Sequence, residues 1–413
     1  MKTVIRPETE MKDSGIEWIG DIPSSWTIFP ANGVFSEAKE KNTDLKFTNA
    51  FSFKYGEIVD KKQVGDVDNN LKETLSSYTI VRKNTIMING LNLNYDFVSQ
   101  RVAIVNESGV ITSAYLAIQP DENKINPRFV LYLLKSYDYQ QVFHGLGSGI
   151  RKTLKYQDFK KIMIVAPTLS EQQVIADYLD KTCSQIDEII AEAKASIDEY
   201  KELKQSIIFE AVTKGLDKNV DMRDSGVEWI GVIPKTWDVL SLKYMCTMQA
   251  GKNLISEQIA DSGKYSVYGG NGLRGYYSSY NTEGRHLLVG RQGALCGNVH
   301  DVDGQYWCTE HAIVTTETKF SDIDYLFYLL IGMNLNQYAS NAAAQPGLSV
   351  GNILNVKTVK PSMDEQKEIA TYLKNILPKY NSLITEKESL INDLEAYKKS
   401  LVYEVVTGKR RVV

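Results

Sequence analysis

Several short motifs in this 413-residue chain carry residue types that chemistry uses, and each fails on its surroundings. Gly270-Asn271-Gly272-Leu273-Arg274-Gly275 spells the glycine fingerprint of a dinucleotide site. YYSSYNTEG follows it, which predicts no helix whose N-terminus could hold a pyrophosphate. Gly347-Leu348-Ser349-Val350-Gly351 spells a nucleophile elbow, but the base of that fold follows its serine along the chain and the last histidine here is His311. His144, His286, His300 and His311, with Cys183, Cys246, Cys296 and Cys308, lack recurrent metal-ligand spacing. His311 beside Glu310 reads as a hydrogen-bonded structural histidine. Asn126-Pro127-Arg128-Phe129 lacks the second proline of an aminomethylation signature, and no phosphate-binding G-x-x-x-x-G-K-[ST] loop occurs. These residues predict a protein that catalyses nothing alone.

The elements that carry such side chains come in two copies. Residues 11–26 (MKDSGIEWIGDIPSSW) and 222–237 (MRDSGVEWIGVIPKTW) are identical at eleven of sixteen positions, at an offset of 211. At an offset of 194, Leu154 to Pro167 align without a gap on Leu348 to Pro361 and lead into SEQQVIADYL (170–179) and DEQKEIATYL (364–373). FVLYLL (129–134) resembles YLFYLL (325–330), a short buried helix in each copy. Roughly 30–125 and 240–320 show no useful similarity, so one frame carries two different inserts. The inserts, rich in Tyr, Val, Ile, Gly and Asn, read as strands joined by glycine turns. The predicted fold class is mixed α/β, with one such domain per copy.

Each copy closes with a long helix. In the second, Ile369, Leu373, Ile376, Tyr380, Leu383, Leu390, Leu394, Tyr397 and Leu401 alternate at spacings of four and three, with Lys387 in the one vacancy. In the first, Ile175, Leu179, Ile186, Ile189, Ala193, Tyr200, Leu203 and Ile207 do the same, weakened by Thr182 and Ser196. Heptad stripes of this kind predict helix packed lengthwise on helix, each rod about 60–70 Å long at 1.5 Å per residue. Ser170 with Gln173 resembles a capping box, and Pro378 is expected to kink or break the second rod.

Net charge is −4, which argues mildly against a nucleic-acid partner, but the charge is segregated. Ser170 to Glu202 hold nine acids and three lysines. Gln140 to Lys161 hold five bases (Arg151, Lys152, Lys155, Lys160, Lys161) and one acid. Gly263 to Gly293 hold four bases (Lys264, Arg274, Arg285, Arg291), one acid and five tyrosines. Such loops suit a DNA surface or an ordinary solvated face, and composition alone leaves both open. The longest apolar run, Tyr325 to Met333, is too short for a membrane helix. MKTVIRPETE is no secretory signal, and cysteines without C-x-x-C spacing point to a reducing, cytoplasmic setting without a disulfide framework.

Over essentially its whole length the chain resembles the specificity subunit of type I restriction–modification systems. The resemblance rests on the paired SGIEWIGDIPSSW and SGVEWIGVIPKTW segments, on YGGNGLRGY (268–276), on QPGLSV (345–350), and on the duplicated P-x-x-x-EQ-x-x-IA-x-YL helix starts. It implies target recognition domains at 1–166 and 215–360, separated by a central conserved helix at 167–214 and a C-terminal one at 361–413 that pair antiparallel. It further implies readout of a bipartite, asymmetric double-stranded DNA site and partnership with two methyltransferase (modification) subunits and with restriction and translocase subunits. S-adenosylmethionine, ATP and Mg would sit on those partners only. The DNA contacts expected in the second domain are Asn271, Arg274, Arg291, Gln292 and Gln345, and in the first Ser148, Arg151, Lys152 and Lys155, with Asn92, Asn94, Gln100 and Arg101. Other readings are a non-catalytic protein scaffold, a fragment of a fused enzyme, and an enzyme using the Ser349 or glycine-loop motifs.

Overall fold

The DSG triplets that open each copy make the same local bonds. Asp13 and Ser14 accept from the amides of Gly15 and Ile16 at 2.9 and 3.1 Å, and Asp224 and Ser225 accept from Gly226 and Val227 at 3.0 and 3.1 Å. Gly15 and Gly226 sit at φ 67° and 70°, where a side chain would be strained. Strands Met11–Asp13 and Asp21–Pro23 then pair antiparallel, as do Met222–Asp224 and Val232–Pro234. Both segments end on a buried tryptophan, Trp26 or Trp237.

The computed structural model describes residues 2–61, 69–97, 100–147, 149, 152–293, 295–339 and 347–413. Its helices in chain order are α1 (Asn69–Ser77), α2 (Pro127–Tyr139), α3 (Val142–Leu146), α4 (Tyr156–Phe159), α5 (Leu169–Lys214), α6 (Ile323–Gly332), α7 (Val350–Asn355) and α8 (Met363–Val406). None of them is long and apolar enough to cross a membrane. The chain forms two compact units, unit 1 from Met1–Glu192 with Leu390–Val413 and unit 2 from Ala193–Ser389. The long helices α5 and α8 therefore each serve both cores. The four cysteines are free and buried.

Unit 1 holds two four-stranded sheets. One runs Phe35–Glu37, Leu116–Pro120, Ile86–Ile88, Val102–Ile104, all antiparallel. The other runs Glu57–Asp60, Ala50–Lys54, Gly109–Ile111, Thr79–Val81, with one parallel pair at its centre. Unit 2 repeats both sheets strand for strand. Its first is Cys246–Ala250, Ala312–Glu317, His286–Gly290, Val299–Val302; its second is Gly272–Tyr277, Tyr265–Gly269, Gln305–Cys308, Thr282–Glu283, again with the central pair parallel. The inserts that showed no useful similarity in sequence thus share one topology. Ile86–Ile88 and Leu287–Val289 are buried on both faces. An unbroken apolar run is all such a strand requires, and many sequences supply one.

A buried glutamine ties each long helix to the domain before it. Gln172 accepts from the amide of Asn126 (2.7 Å) and donates to the carbonyl of Pro167 (2.9 Å). Gln366 accepts from the amide of Asp322 (2.8 Å) and donates to the carbonyls of Pro361 (3.1 Å) and Phe320 (3.0 Å). Asn126 and Asp322 in turn cap α2 and α6 with their side chains. These bonds account for the glutamine of each EQ pair, at 171–172 and 365–366.

The helix seam corrects the expected stripe. In α8 it follows Leu373, Leu377, Tyr380, Ile384, Lys387, Ile391, Leu394, Lys398 and Leu401, while Leu383, Leu390 and Tyr397 are 38%, 40% and 50% exposed. In α5 it follows Leu179, Cys183, Ile186, Ile190, Ala193, Ile197, Tyr200, Lys204 and Ile207, while Ile189 and Leu203 are 45% and 42% exposed. Every second seam position lies one residue later than expected, because a spacing of four-then-three satisfies the heptad as well as three-then-four. Thr182 and Ser196 are therefore not gaps; Cys183 and Ile197 fill those places. The helices run antiparallel within each unit. In unit 1 Asp187 pairs with Lys398 (2.5 Å), and in unit 2 Tyr200 packs on Tyr380 while Lys204 bonds Asn381.

Two further expectations change. The first rod is capped by Thr168, whose hydroxyl accepts from the amide of Glu171 (3.4 Å); Gln173 instead bonds Asn126 and Asp177. The reciprocal box sits in the second copy, between Ser362 and Glu365. Pro378 does not break α8, which continues unbroken through it: the proline forfeits one backbone bond, and packing before and after it holds the remainder. Replacing Ile391 by Ala should cost about 2–4 kcal/mol in urea denaturation, while Leu390→Ala one position away should stay within about 0.5 kcal/mol. Equal effects would mean that the seam runs where the stripe first put it.

Candidate nucleic-acid interface

In each unit two loops meet at one end of the sheets, and the same backbone bond joins them. The amide of Leu154 donates to the carbonyl of Gly90 (2.9 Å) and that of Leu348 to the carbonyl of Arg291 (2.9 Å). Leu154 and Leu348 are related by the offset of 194. Gly90 and Arg291 belong to inserts without similarity, yet both follow topologically equivalent strands, Ile86–Ile88 and His286–Gly290. In unit 1 the pair is drawn tighter. The amide of Leu93 donates to the carbonyl of Lys152 (3.0 Å), and a Cβ on Gly90 or Gly147 would fall 2.8 Å from Leu154 or Leu93.

Of the residues expected here, Asn92, Lys152 and Lys155 are exposed on these joined loops and Asn94 is half-buried there. Gln100 is also exposed and lies over the hairpin turn at Gly56, whose Cβ would come 2.8 Å from its Oε1. Ser148 and Arg151 lie outside the described residues.

Arg101 is corrected outright, being 0% exposed. Its guanidinium donates to the carbonyls of Asn89 (2.8 Å), Leu91 (2.9 Å) and Asp96 (2.6 Å) and lies 3.6 Å from the Asp96 carboxylate. Its amide donates to Asp138 (2.7 Å). A planar group with five donors is suited to gathering carbonyls, so Arg101 clamps the loop that displays Asn92 and Asn94 and reaches no ligand itself. Burial pushes the Asp138 carboxyl up to about 6, against the lowering effect of the Arg101 amide and charge.

In unit 2 the glycine motif forms a hairpin between Tyr265–Gly269 and Gly272–Tyr277, with Asn271 exposed at its turn. The aliphatic part of Arg274 lies over Gly269, where a Cβ would fall 2.6 Å from its Cδ. Gly270 packs beside Gly290 and the carbonyls of His311 and Gln292. Gln292 is exposed, bridges to Gly347, and has its Oε1 held by His311 Nδ1 (2.9 Å). His311, which the sequence tied to Glu310 (3.2 Å), thus also orients an expected DNA contact. Arg291 is half-buried and Gln345 lies outside the described residues. Arg151 and Gln345 are equivalent at the offset of 194. Arg285, counted in the basic stretch, is committed to Asp301 (2.6 Å) and Asp324, which raise its pKa.

Sequence reasoning missed Tyr95 and Phe97, 72% and 54% exposed on the Arg101-clamped loop, with Phe97 stacked on His144 at 5.0 Å. Two aromatics beside Asn92 and Asn94 in a turn were the available signal. The glycine motif runs into the strand Gly272–Tyr277 and not into a helix, so no helix N-terminus follows it; Ser349 precedes the six-residue α7.

With this geometry in place, a family model described as "Type I restriction modification DNA specificity domain" matches residues 23–199 and 234–393. The type I restriction enzyme EcoprrI specificity subunit of Escherichia coli is 45% identical over 140 residues, 33% of this chain and 34% of that protein. The match thus spans about a third of that relative's length. The type I restriction enzyme MjaVIII specificity subunit of Methanocaldococcus jannaschii is 23% identical over 425 residues, covering 95% of this chain and 94% of its own. A solved structure from work on complex assembly and conformational transition of the type I R-M system superposes with a TM-score of 0.72 at 13% identity, over 94% of this chain and 99% of that one.

Two outcomes check the site. Arg101→Met should lower stability by about 3 kcal/mol or more in chemical denaturation, since three loop carbonyls lose their donor. Asp138 has a folded-state pKa above the ordinary 3.8, so its contribution is fully present below that value and is lost as pH rises through about 6. The stability of the parent chain relative to Asp138→Asn should therefore fall, by on the order of 2 kcal/mol from pH 4 to pH 7.5. A gap constant with pH would show that Asp138 ionises normally.

Proposed function

Since the chain belongs to the type I restriction modification DNA specificity family, we propose that it reads a bipartite, asymmetric DNA site, one half-site per unit, for partner subunits that methylate adenine or cut. The observation that carries this is the duplicated loop pair: the same backbone joint on the same two sheets, bearing different side chains. A device built twice with different reading edges suits two unlike half-sites.

In this reading Lys152 and Lys155 hold phosphates, and Asn92, Asn94, Gln100, Asn271 and Gln292 pair with base edges, with Arg274 and Arg291 able to do either. Gln345, Ser148 and Arg151 join them on the strength of sequence. Recognition domains at 1–166 and 215–360, with conserved helices at 167–214 and 361–413, are the corresponding division. Two modification subunits would supply the S-adenosylmethionine chemistry on a flipped adenine, with ATP and Mg used by the restriction subunits, in the cytoplasm.

In complex with its modification subunits, Arg274→Ala should weaken binding of the cognate duplex by roughly 10- to 100-fold, the range of one lost base contact. Lys152→Ala should lower the salt dependence of binding while sparing sequence preference. Genomic methylation mapping should show a bipartite adenine-methylated motif that vanishes on deletion of the gene. Unchanged methylation would overturn the reading.

A further inference from the structure

Beside the helix pair each unit has a cavity at repeat-equivalent positions, and the two cavities differ in charge. The unit 1 cavity, about 490 Å³, is lined by Tyr132, Asp180, Cys183, Asp187, Lys398 and Val402 among others. At the offset of 194 the last five become Lys374, Leu377, Asn381, Lys204 and Ile208, and all of these line a cavity of about 430 Å³ in unit 2. Tyr132 and Tyr328 occupy the same place in FVLYLL and YLFYLL. Shape and position are shared, but the ionic groups are not. Unit 1 has three carboxylates (Asp180, Asp187, Glu188) against Lys135 and Lys398. Asp180 is further taken by Arg128 at 2.5 Å and by the Tyr132 hydroxyl at 2.8 Å, and Asp187 by Lys398. The unit 2 cavity is lined by Lys201, Lys204 and Lys374 and, among the described residues, by no carboxylate. Even the pair between helices is reversed: where unit 1 sets Arg128 of α2 against Asp180, unit 2 has Asp324 and Lys374 at the matching positions, and Asp324 is drawn off by Arg285.

We propose that the unit 2 cavity docks an acidic protein segment bearing an apolar or aromatic side chain, and that its unit 1 counterpart does not accept the same segment. The three ammonium groups are compact point charges, suited to carboxylates presented on a flexible chain rather than to bidentate clamping of a phosphate. Phe327, Tyr328, Leu377 and Pro378 line the same cavity, apolar surface that a phosphate would leave uncovered and an apolar anchor would fill. Burial and the neighbouring Lys201 also lower the pKa of Lys204, a cost that an incoming carboxylate would relieve. Two copies of one partner would then be held unequally, the second by a salt-sensitive contact.

The inference rests on the proposed function only for its probe, the modification subunit. The parent chain and Lys201→Gln/Lys204→Gln/Lys374→Gln are titrated with that subunit and followed by native mass spectrometry from 50 to 500 mM salt. Two binding steps are expected for the parent, one falling steeply with salt. The triple variant should weaken that step at least 10-fold and leave the other unchanged, whereas Asp187→Asn/Glu188→Gln in unit 1 should leave the salt-steep step unchanged. Lys374→Glu, whose ammonium makes no ion pair among the described residues, repeats the test if the triple variant melts early. Two steps untouched by the lysine changes would overturn the proposal. So would a loss confined to duplex DNA binding, which would assign the lysines to nucleic acid. A parent chain that binds no modification subunit would instead defeat the proposed function.

Discussion

The narrow seam along α5 and α8 is the constraint that the rest of the structure obeys. A helix of 46 residues and one of 44 cannot each be held by a single small core. Each divides its length between two. The first part of α5 closes unit 1 and its last part, with Ile208, Ala211 and Val212, enters the core of unit 2. α8 does the reverse, with Ile369, Leu373 and Leu377 in unit 2 and Leu401, Val402 and Val405 buried in unit 1. Most helix stability comes from such packing rather than from propensity, which is why Pro378 and the polar Lys204, Lys387 and Lys398 are tolerated in the seam.

The frame was largely legible in sequence because its residues do local or repeated work. The DSG turns, the buried tryptophans and the EQ pairs recur at fixed offsets, and the DSG turns and the two glutamines make matching bonds in both copies. The seam was legible only to within one residue, since a heptad read from apolar spacing alone does not say which neighbour of Leu383 or Leu390 faces inward; the half-burial of Ile384 and the burial of Ile391 do. The shared sheet topology of the inserts was not legible at all. Strand pairing depends on which apolar faces meet, and Ile86–Ile88 and Leu287–Val289 satisfy the same position with different residues.

The candidate site divides in a similar way. Exposed polar residues on glycine turns, such as Asn271 and Lys152, could be named from composition. Arg101 could not be told from them, because an arginine that binds a ligand and one that gathers its own chain's carbonyls have the same one-letter pattern. Its surroundings, with a buried Asp138 behind it and three carbonyls before it, exist only after folding. The net charge of −4 was uninformative for a related reason: it sums acidic helix segments with basic loops.

The Arg101 clamp has a thermodynamic consequence for whatever the loop meets. A display loop ordered by its own arginine has already surrendered its conformational entropy during folding. Asn92, Asn94, Tyr95 and Phe97 are then offered on a surface whose ordering cost is charged to stability and not to affinity. Changing those four side chains would not reopen that cost, so long as the arginine beneath them stays.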